Sequence, residues 1–244
     1  MTAPVRNGIY NAFAAILTNS GLSRLNELEA KMLVGERMSR PVISVSPETP
    51  INEALAMFKK EHIRRAPVMK DAKLVGIVSE RDLLNASPSP VTTLSIWEMH
   101  YLISKVTVKQ VMSKKVITVS KDTPIEEAAR IVADNKIGGL PVVDSGKVVG
   151  IITETDLFKI FLELMGARQK ATRVTTQIED KPGVLAKLTK AIAENGGNFL
   201  SFGMFSGPDA NSRTVTFKVE GIKKEEIKKV LGTAVIKFWD IRQS

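Results

Sequence analysis

The chain has 244 residues and a formal net charge of +9, and 43% of its residues are hydrophobic while 25% are charged. This composition is typical of a globular protein with two or three domains, and no apolar run is long enough to cross a bilayer. Cysteine is absent, which excludes disulfides, thiolate catalysis and cysteine metal sites. We therefore expect a cytoplasmic protein without membrane contact.

The positive charge is concentrated near the C-terminal end, where residues 167–244 hold 14 basic and 8 acidic side chains. Such an excess can attract an anionic ligand, an acidic partner or nucleic acid. Two glutamates lie between the two lysine pairs of residues 223–229, which favours a solvated helix face over a nucleic-acid surface. A nucleic-acid-binding or transcriptional regulator remains the alternative function.

Residues 1–31 are predicted to be an N-terminal extension. Arg6 precedes an apolar stretch that ends before Ser20 and Gly21, a pattern that loosely resembles a secretory signal. Asn11 interrupts the stretch, so an amphipathic leader helix or an upstream extension of the reading frame is the preferred interpretation.

The next segment is repeated 74 residues later without a gap. When Met38 to Leu84 is aligned with Met112 to Phe158, 21 of 47 positions are identical. Each copy reads strand, helix, strand, hairpin, strand, helix, so we predict paired domains at residues 32–88 and 108–168. A connector at residues 89–107 carries one more helix, with Trp97 and Tyr101 as buried anchors.

Local signals place the first helix of each repeat. A short β-rich run at residues 42–45 predicts a strand before it. Thr49 and Thr123 are predicted N-caps before a proline at the first helical position, and Glu126 completes a capping box with Thr123.

Residues 172–244 have a different pattern, in the order strand, helix, strand, strand, helix, strand. This order is the split βαβ or ferredoxin-like arrangement. The predicted strands cover residues 173–179, 199–205, 214–220 and 233–241, and the second helix covers residues 223–231. Such a sheet leaves an edge or an open face available to a partner.

A hydroxyl and a carboxylate recur at a strand-to-helix turn in both repeats, as Ser79 with Asp82 and as Thr153 with Asp156. This spacing is itself a capping box, which satisfies free backbone donors at the start of a helix. A carboxylate there can also accept hydrogen bonds from the two hydroxyls of a ribose. Capping and ligand binding are compatible.

The doubled Gly-h-h-Ser/Thr-x-x-Asp, where h is apolar, with Ala66-Pro67-Val68 and Leu140-Pro141-Val142 upstream, resembles the cystathionine-β-synthase-type (CBS) domain. The resemblance implies clefts between tandem repeats that bind AMP, ADP, ATP or S-adenosylmethionine as regulatory ligand. It implies that Asp82 and Asp156 hold ribose hydroxyls with help from Ser79 and Thr153. It also places Ala66, Pro67, Leu140, Pro141, Ile43, Ser44, Ile117 and Thr118 around the ligand.

The two predicted sites differ in charge. Arg64 and Arg65 of the first repeat correspond to Gly138 and Gly139 of the second, and Arg81 corresponds to Thr155. Because arginines grip phosphates bidentately, we predict that Arg64, Arg65 and Arg81 contact phosphate at an arginine-rich Asp82 site. The Asp156 site is expected to lie among the glycines and to differ in affinity.

The C-terminal segment resembles an ACT domain through Asp180-Lys181-Pro182-Gly183-Val184-Leu185 and Gly197-Asn198. The resemblance implies side-by-side dimerisation and, in many members, an amino acid bound at that interface. Asp180, Pro182, Gly183 and Asn198 would then form the amino-acid site. Ordinary turn and helix-end chemistry explains the same residues without a ligand.

The fold class is therefore expected to be α/β (α+β), with a CBS-domain pair followed by a ferredoxin-like βαββαβ ACT domain. Met32-Leu33-Val34, Met38 and the stretch from Ala86 to Pro90 are similar to the bacterial acetoin-utilisation CBS–ACT proteins. We expect a regulatory homodimer with no catalytic residues, no metal and no catalytic cofactor, acting on a protein target that the sequence does not identify.

Overall fold

The computed structural model describes residues 32–86 and 104–244. The predicted extension at residues 1–31, the end of the first repeat at residues 87–88 and the connector helix with Trp97 and Tyr101 lie outside the described residues. The chain forms two compact units, one ending at Glu154 and one beginning at Thr155. None of the described helices combines the length and the apolar character needed to span a membrane.

The first unit contains the first repeat and the second repeat up to the start of its last helix, and each repeat has three described helices and an antiparallel hairpin. The bulges in the two hairpins, at Val68/Met69 and Val142/Val143, occupy equivalent positions. The helices and strands are α1 (Val34–Arg37), α2 (Ile51–Lys60), β1 (Arg65–Lys70), β2 (Lys73–Ser79), α3 (Glu80–Asn85), α4 (Val108–Val111), α5 (Ile125–Asn135), β3 (Gly139–Asp144), β4 (Lys147–Thr153) and the start of α6 (Glu154–Leu164).

The repeats exchange backbone contacts with each other. Ile77 in β2 shares two hydrogen bonds with Ser113, at 3.0 and 2.9 Å, and Ile151 in β4 shares two with Ser39, at 3.3 and 2.9 Å. These four residues are equivalent in pairs, so the repeats are related by an approximate two-fold axis. Val108 of the second repeat is accordingly buried in the core of the first.

The same exchange explains the glycine that opens each Gly-h-h-Ser/Thr-x-x-Asp motif. A Cβ on Gly76 would overlap the sulfur of Met112, and a Cβ on Gly150 would overlap the sulfur of Met38. Each glycine therefore admits a methionine from the opposite repeat. These glycines serve packing between the repeats.

Replacing Gly150 by alanine is expected to lower the free energy of unfolding by about 1–3 kcal/mol, because overpacking a filled core displaces its neighbours. Urea denaturation measures this loss. Met38→Ala removes the sulfur that the new methyl meets, so the double variant should lose less than the sum of the two single losses. Strict additivity would contradict the proposed steric cause.

Two local predictions were wrong. Thr49 and Thr123 are not N-caps, because α2 and α5 begin one residue later and Pro50 and Pro124 occupy the cap positions without a side-chain hydrogen bond. The Thr123 hydroxyl instead accepts a hydrogen bond from the Ser120 amide at 3.1 Å. The predicted strand at residues 42–45 is reduced to one isolated bridge, between Val45 and Val68.

The second unit contains a four-stranded antiparallel sheet in the order β6-β7-β5-β8. The predicted βαββαβ order is observed, with a shorter second helix and a later last strand than expected. The elements after α6 are β5 (Thr172–Glu179), α7 (Val184–Glu194), β6 (Asn198–Ser206), β7 (Ser212–Glu220), α8 (Ile227–Leu231) and β8 (Lys237–Gln243).

Side chains from α7, α8 and one face of the sheet form the core of this unit. Leu188, Ile192 and Ile227 from the helices meet Val174 and Phe217 from the central strands. The helices thus cover one face of the sheet. The order of the described strands places β6 and β8 at its edges.

The turn after α6 covers part of the opposite face. The Lys218 side chain is buried and its Nζ donates a hydrogen bond of 2.9 Å to the Gln169 carbonyl. A Cβ on Gly166 would lie 3.2 Å from the Ser201 Cβ. The stretch between α6 and β5 is therefore packed against the sheet.

Candidate functional site

A cleft of about 510 Å³ lies in the first unit, where the two repeats meet. The first repeat contributes the ends of β1 and β2 and the start of α3. The second repeat contributes the segment before Thr118 and the turn between α5 and β3. The lining residues are Arg64, Arg65, Ile77, Ser79, Glu80, Arg81, Asp82, Ser113, Lys115, Val116, Ile117, Lys136, Ile137, Gly138, Gly139 and Glu154.

Ser79 and Asp82 form the predicted capping box at the start of α3. The Ser79 amide and hydroxyl donate to Oδ2 of Asp82 at 2.8 and 2.6 Å, and the Asp82 amide donates to the Ser79 hydroxyl at 3.3 Å. Among the described residues, Oδ1 of Asp82 receives no further hydrogen bond. The carboxylate is thus held in place through one of its oxygens, and Asp82 lines the cleft.

Arg65 extends across the boundary between the repeats. A Cβ on Gly138 would overlap its guanidinium, and a Cβ on Gly139 would lie 3.2 Å from its Cδ. Its side chain is 20% exposed, with Nη2 3.9 Å from a carboxylate oxygen of Glu154. The glycines therefore leave the space that the guanidinium occupies.

Burial lowers the pKa of Arg65 below the usual arginine value; the charge of Glu154 opposes this shift, Arg64 adds to it, and Asp82 opposes it. An arginine remains protonated in proteins despite such a shift. The cleft therefore holds a full positive charge that water solvates only in part.

This geometry corrects the predicted contrast between an arginine-rich site and a glycine-rich site. Arg65 and Gly139 are equivalent positions of the repeat, and they lie opposite each other in one cleft. The approximate two-fold axis brings equivalent positions together, so two arginines there would compete for the same space. The first repeat supplies Arg65, and the glycines of the second repeat leave space for its side chain.

Two further lysines in the cleft were missed as site residues. Lys115 and Lys136 raise the number of basic side chains in the lining to five, against the acidic groups of Glu80, Asp82 and Glu154. A signal for them exists in the aligned repeats, because Lys115 replaces Pro41 and Lys136 replaces His62.

Other predicted site residues are not among those that line this cleft. Ala66, Pro67, Leu140 and Pro141 are buried in β1 and β3. Ile43, Ser44 and Thr118 lie outside the lining, whereas Ile117 is part of it. Thr153 ends β4, and Asp156 lies on the first turn of α6.

The predicted amino-acid site lies in the second unit, and its polar groups have partners within that unit. Asp180 accepts a 2.8 Å hydrogen bond from Arg213, and Asn198 donates one of 3.1 Å to Glu220. Gly183 has φ +83°, and a Cβ there would meet no atom within 4 Å. The backbone conformation before α7 thus explains this glycine, and the exposed Pro182 precedes it in the same turn.

In the two described stretches, no group of three histidine, aspartate or glutamate side chains could hold a metal ion. The charged and polar side chains that line the cleft offer hydrogen bonding and charge pairing. This combination of a fixed carboxylate and basic side chains fits the binding of a polar anion.

Comparison with known proteins agrees with the repeat. Residues 34–89 and 108–163 match the CBS domain. An uncharacterized protein of Methanocaldococcus jannaschii is 33% identical over 165 residues, which cover 58% of this chain and 98% of the relative. The chain belongs to the CBS-domain family, and these two segments form a tandem CBS pair.

Two solved structures are also similar to part of the chain. A protein from Vibrio cholerae assigned to acetoin utilization is 31% identical, with a TM-score of 0.46, and the match covers 56% of this chain and 94% of that one. CBSX2 of Arabidopsis thaliana, solved in complex with AMP, is 30% identical with a TM-score of 0.46, and the match covers 54% of this chain and 97% of that one.

Proposed function

We propose that this protein is a regulatory sensor whose CBS pair binds a phosphorylated adenosine compound in the cleft between the repeats. The observation that carries the proposal is the placement of Asp82 and Arg65 in one cleft, the first fixed by Ser79 and the second seated on Gly138 and Gly139. A carboxylate and a partly desolvated guanidinium suit the two polar ends of a nucleotide.

The ribose end is assigned to Asp82. A ribose carries two vicinal hydroxyl donors, and a hydrogen bond to a charged acceptor contributes about 1.5–3 kcal/mol. The Ser79 hydroxyl already donates to the carboxylate at 2.6 Å, so the acceptor is fixed before the ligand arrives. Preorganisation of this kind lowers the entropic cost of binding.

The phosphate end is assigned to the basic side chains. Arg64, Arg65, Arg81, Lys115 and Lys136 all line the cleft, and arginine in particular binds phosphate through two parallel hydrogen bonds. The cation of S-adenosylmethionine would meet these same positive groups. The lining thus favours AMP, ADP or ATP over that sulfonium compound.

The adenine base is assigned to the apolar part of the lining. Ile77, Val116, Ile117 and Ile137 all border the cleft. Ile117 is exposed, and covering it with a flat base would remove apolar surface from water.

Calorimetric titration with AMP, ADP, ATP, S-adenosylmethionine and adenosine tests this function. Saturable binding of at least one phosphorylated nucleotide, tighter than binding of adenosine, is the expected result. Absence of heat with every compound would refute nucleotide sensing by this protein.

We also propose that the second unit is an ACT domain that pairs with a second copy of this chain along β6. The βαββαβ order with sheet order β6-β7-β5-β8 supports the assignment. β6 is an edge strand without a charged residue, and its Phe202, Met204 and Phe205 are exposed. Uncharged apolar edges pair readily with another strand.

Light scattering after gel filtration measures this pairing. The wild-type protein is expected to have twice the chain mass of 26.7 kDa. A Met204→Glu, Phe205→Glu variant should dissociate at least about tenfold more readily, because like charges then face each other across the interface.

Ile236→Glu provides the matched control for that variant. Ile236 is also exposed but precedes β8 at the other edge of the sheet, so its replacement should leave the dimer intact. A monomeric wild-type protein, or a Met204→Glu, Phe205→Glu variant with unchanged mass, would contradict pairing along β6.

The amino-acid role of Asp180, Pro182, Gly183 and Asn198 stays a prediction. So does regulation of the second unit by nucleotide, which would act as a shift between conformations and would have to be reciprocal. Hydrogen exchange of residues 172–244, measured with and without nucleotide, tests that coupling.

A further inference from the structure

The opposite edge of the second unit's sheet has a different character from β6. Among the strands that the structure describes, β8 pairs with β5 alone, so one row of its backbone N–H and C=O groups faces away from the sheet. A groove of about 390 Å³ runs beside it, lined by Lys224, Glu225, Lys228 and residues 238–241. We propose that this edge and groove bind an extended acidic segment of a partner protein, which adds to the sheet as a further strand.

An aromatic anchor lies on this edge. The register between β5 and β8 shifts at Thr175/Thr176, and this shift leaves Trp239 outside the pairing. Trp239 is 50% exposed and Ile236 is 55% exposed. Exposed tryptophan is among the residues that most often dominate a protein interface, and here it lies where an added strand would place its side chains.

The charge of the edge selects an acidic partner. Lys224 and Lys228 line the groove, and the ammonium of Lys237 lies 4.3 Å from the centre of the Trp239 ring. The Asp240 carboxylate already accepts hydrogen bonds from Arg173 and Arg242, at 2.9 and 2.7 Å. The other acidic residue of the groove lining is Glu225, which has no such pair of arginine donors.

Lysines on an edge strand also have a protective role, because they prevent pairing with a like strand. That role excludes a second copy of this basic edge, but it does not exclude an acidic strand. Single-stranded nucleic acid binds best where aromatic side chains stack successive bases. Of the two aromatic residues that line the groove, Phe238 and Trp239, only Trp239 is exposed. The edge strand β8 offers backbone donors and acceptors that a peptide strand can pair with, so the proposed partner is a peptide.

Tryptophan fluorescence tests the proposal directly. The chain has two tryptophans, so in a full-length Trp97→Phe protein the emission reports Trp239. The probe is a synthetic octapeptide of alternating glutamate and valine. In one comparison peptide, lysine replaces glutamate. In the other, alternate backbone nitrogens are methylated, which removes the donors that a β-strand needs. A single-stranded oligonucleotide is the fourth probe.

We expect a saturable shift in emission with the acidic peptide and binding at least about tenfold weaker with both comparison peptides, since charge and backbone pairing are both required. Lys224→Gln with Lys228→Gln should weaken acidic-peptide binding at least about fivefold. Lys187→Gln with Lys190→Gln, on α7 and outside the groove lining, should leave it unchanged.

Several results would overturn the proposal. These are no shift with the acidic peptide, equal binding of the lysine or methylated peptide, equal loss in both lysine variants, or a shift with the oligonucleotide alone. Circular dichroism of each variant establishes that it is folded. The test uses no nucleotide and is therefore independent of the function proposed for the cleft.

Discussion

Replacing Asp82 by asparagine is expected to weaken nucleotide binding at least about tenfold, since each lost hydrogen bond to the charged carboxylate costs about 1.5–3 kcal/mol. Asparagine keeps an oxygen that can accept from the Ser79 amide, which now donates to Asp82 at 2.8 Å. The loss should therefore appear in affinity and only weakly in stability. Calorimetric titration with AMP measures it.

Comparison of the asparagine variant with an alanine variant separates capping from binding. Asp82→Ala removes the capping carboxylate as well as the ribose acceptor, and loss of a cap typically costs about 1 kcal/mol of stability. A matched capping box exists at α4, where the Thr107 amide donates to Gln110 at 2.7 Å, outside the cleft lining.

Gln110→Ala should thus cost comparable stability without changing nucleotide affinity. If Asp82→Asn bound AMP as tightly as the wild-type protein, the carboxylate would be only a helix cap. A fall in affinity in Gln110→Ala equal to that in Asp82→Ala would assign the effect to destabilisation of the fold.

Replacing Arg65 by glutamine is expected to weaken ATP binding about 10- to 100-fold and to leave adenosine binding nearly unchanged. The guanidinium is largely shielded from water, with its side chain 20% exposed, and charge-assisted hydrogen bonds to phosphate are among the strong ones. Because adenosine lacks phosphate, the ratio of the two affinities isolates the role of the arginine. Competition titration of both ligands measures that ratio.

Two further variants sharpen this test. Arg130 forms exposed ion pairs with Glu127 and Asp134 on α5, so Arg130→Gln removes a charge outside the cleft and should not change the ratio. Gly138→Ala places a methyl group where the Arg65 guanidinium lies. Since the end of an arginine side chain can move, this variant should displace the charge while the fold persists.

The effect of Gly138→Ala should disappear when Arg65 is already glutamine, because the two residues act through one contact. If Arg65→Gln lowered adenosine affinity as much as ATP affinity, Arg65 would shape the cleft and would not select phosphate.

The sequence was sufficient for features that depend on neighbouring residues. Ser79 and Asp82 are three positions apart, so their capping box follows from the geometry of one helical turn. The order of helices and strands along the C-terminal segment could be predicted from the alternation of residues in its strands and from the residues of its turns. The first residues of helices were predicted less accurately, since Pro50 and Pro124 occupy the cap positions that were predicted for Thr49 and Thr123.

The exchange between the repeats required the tertiary structure. The identity of the repeats indicates that they pair, but the pattern within one repeat does not state which residue meets which in the other. Met38 on Gly150 and Met112 on Gly76 are contacts between segments far apart in the chain. The periodicity of apolar residues indicates which side chains are buried, but it does not indicate which residues they contact.

The sequence by itself determined that a doubled unit carries a hydroxyl and a carboxylate at each strand-to-helix turn and that a βαββαβ segment follows. Only the tertiary structure decided that Arg65 and the pair Gly138-Gly139 belong to one cleft. The physical reason is the approximate two-fold axis, which brings equivalent positions of the two repeats face to face. A long basic side chain fits there only when the opposite residue is a glycine.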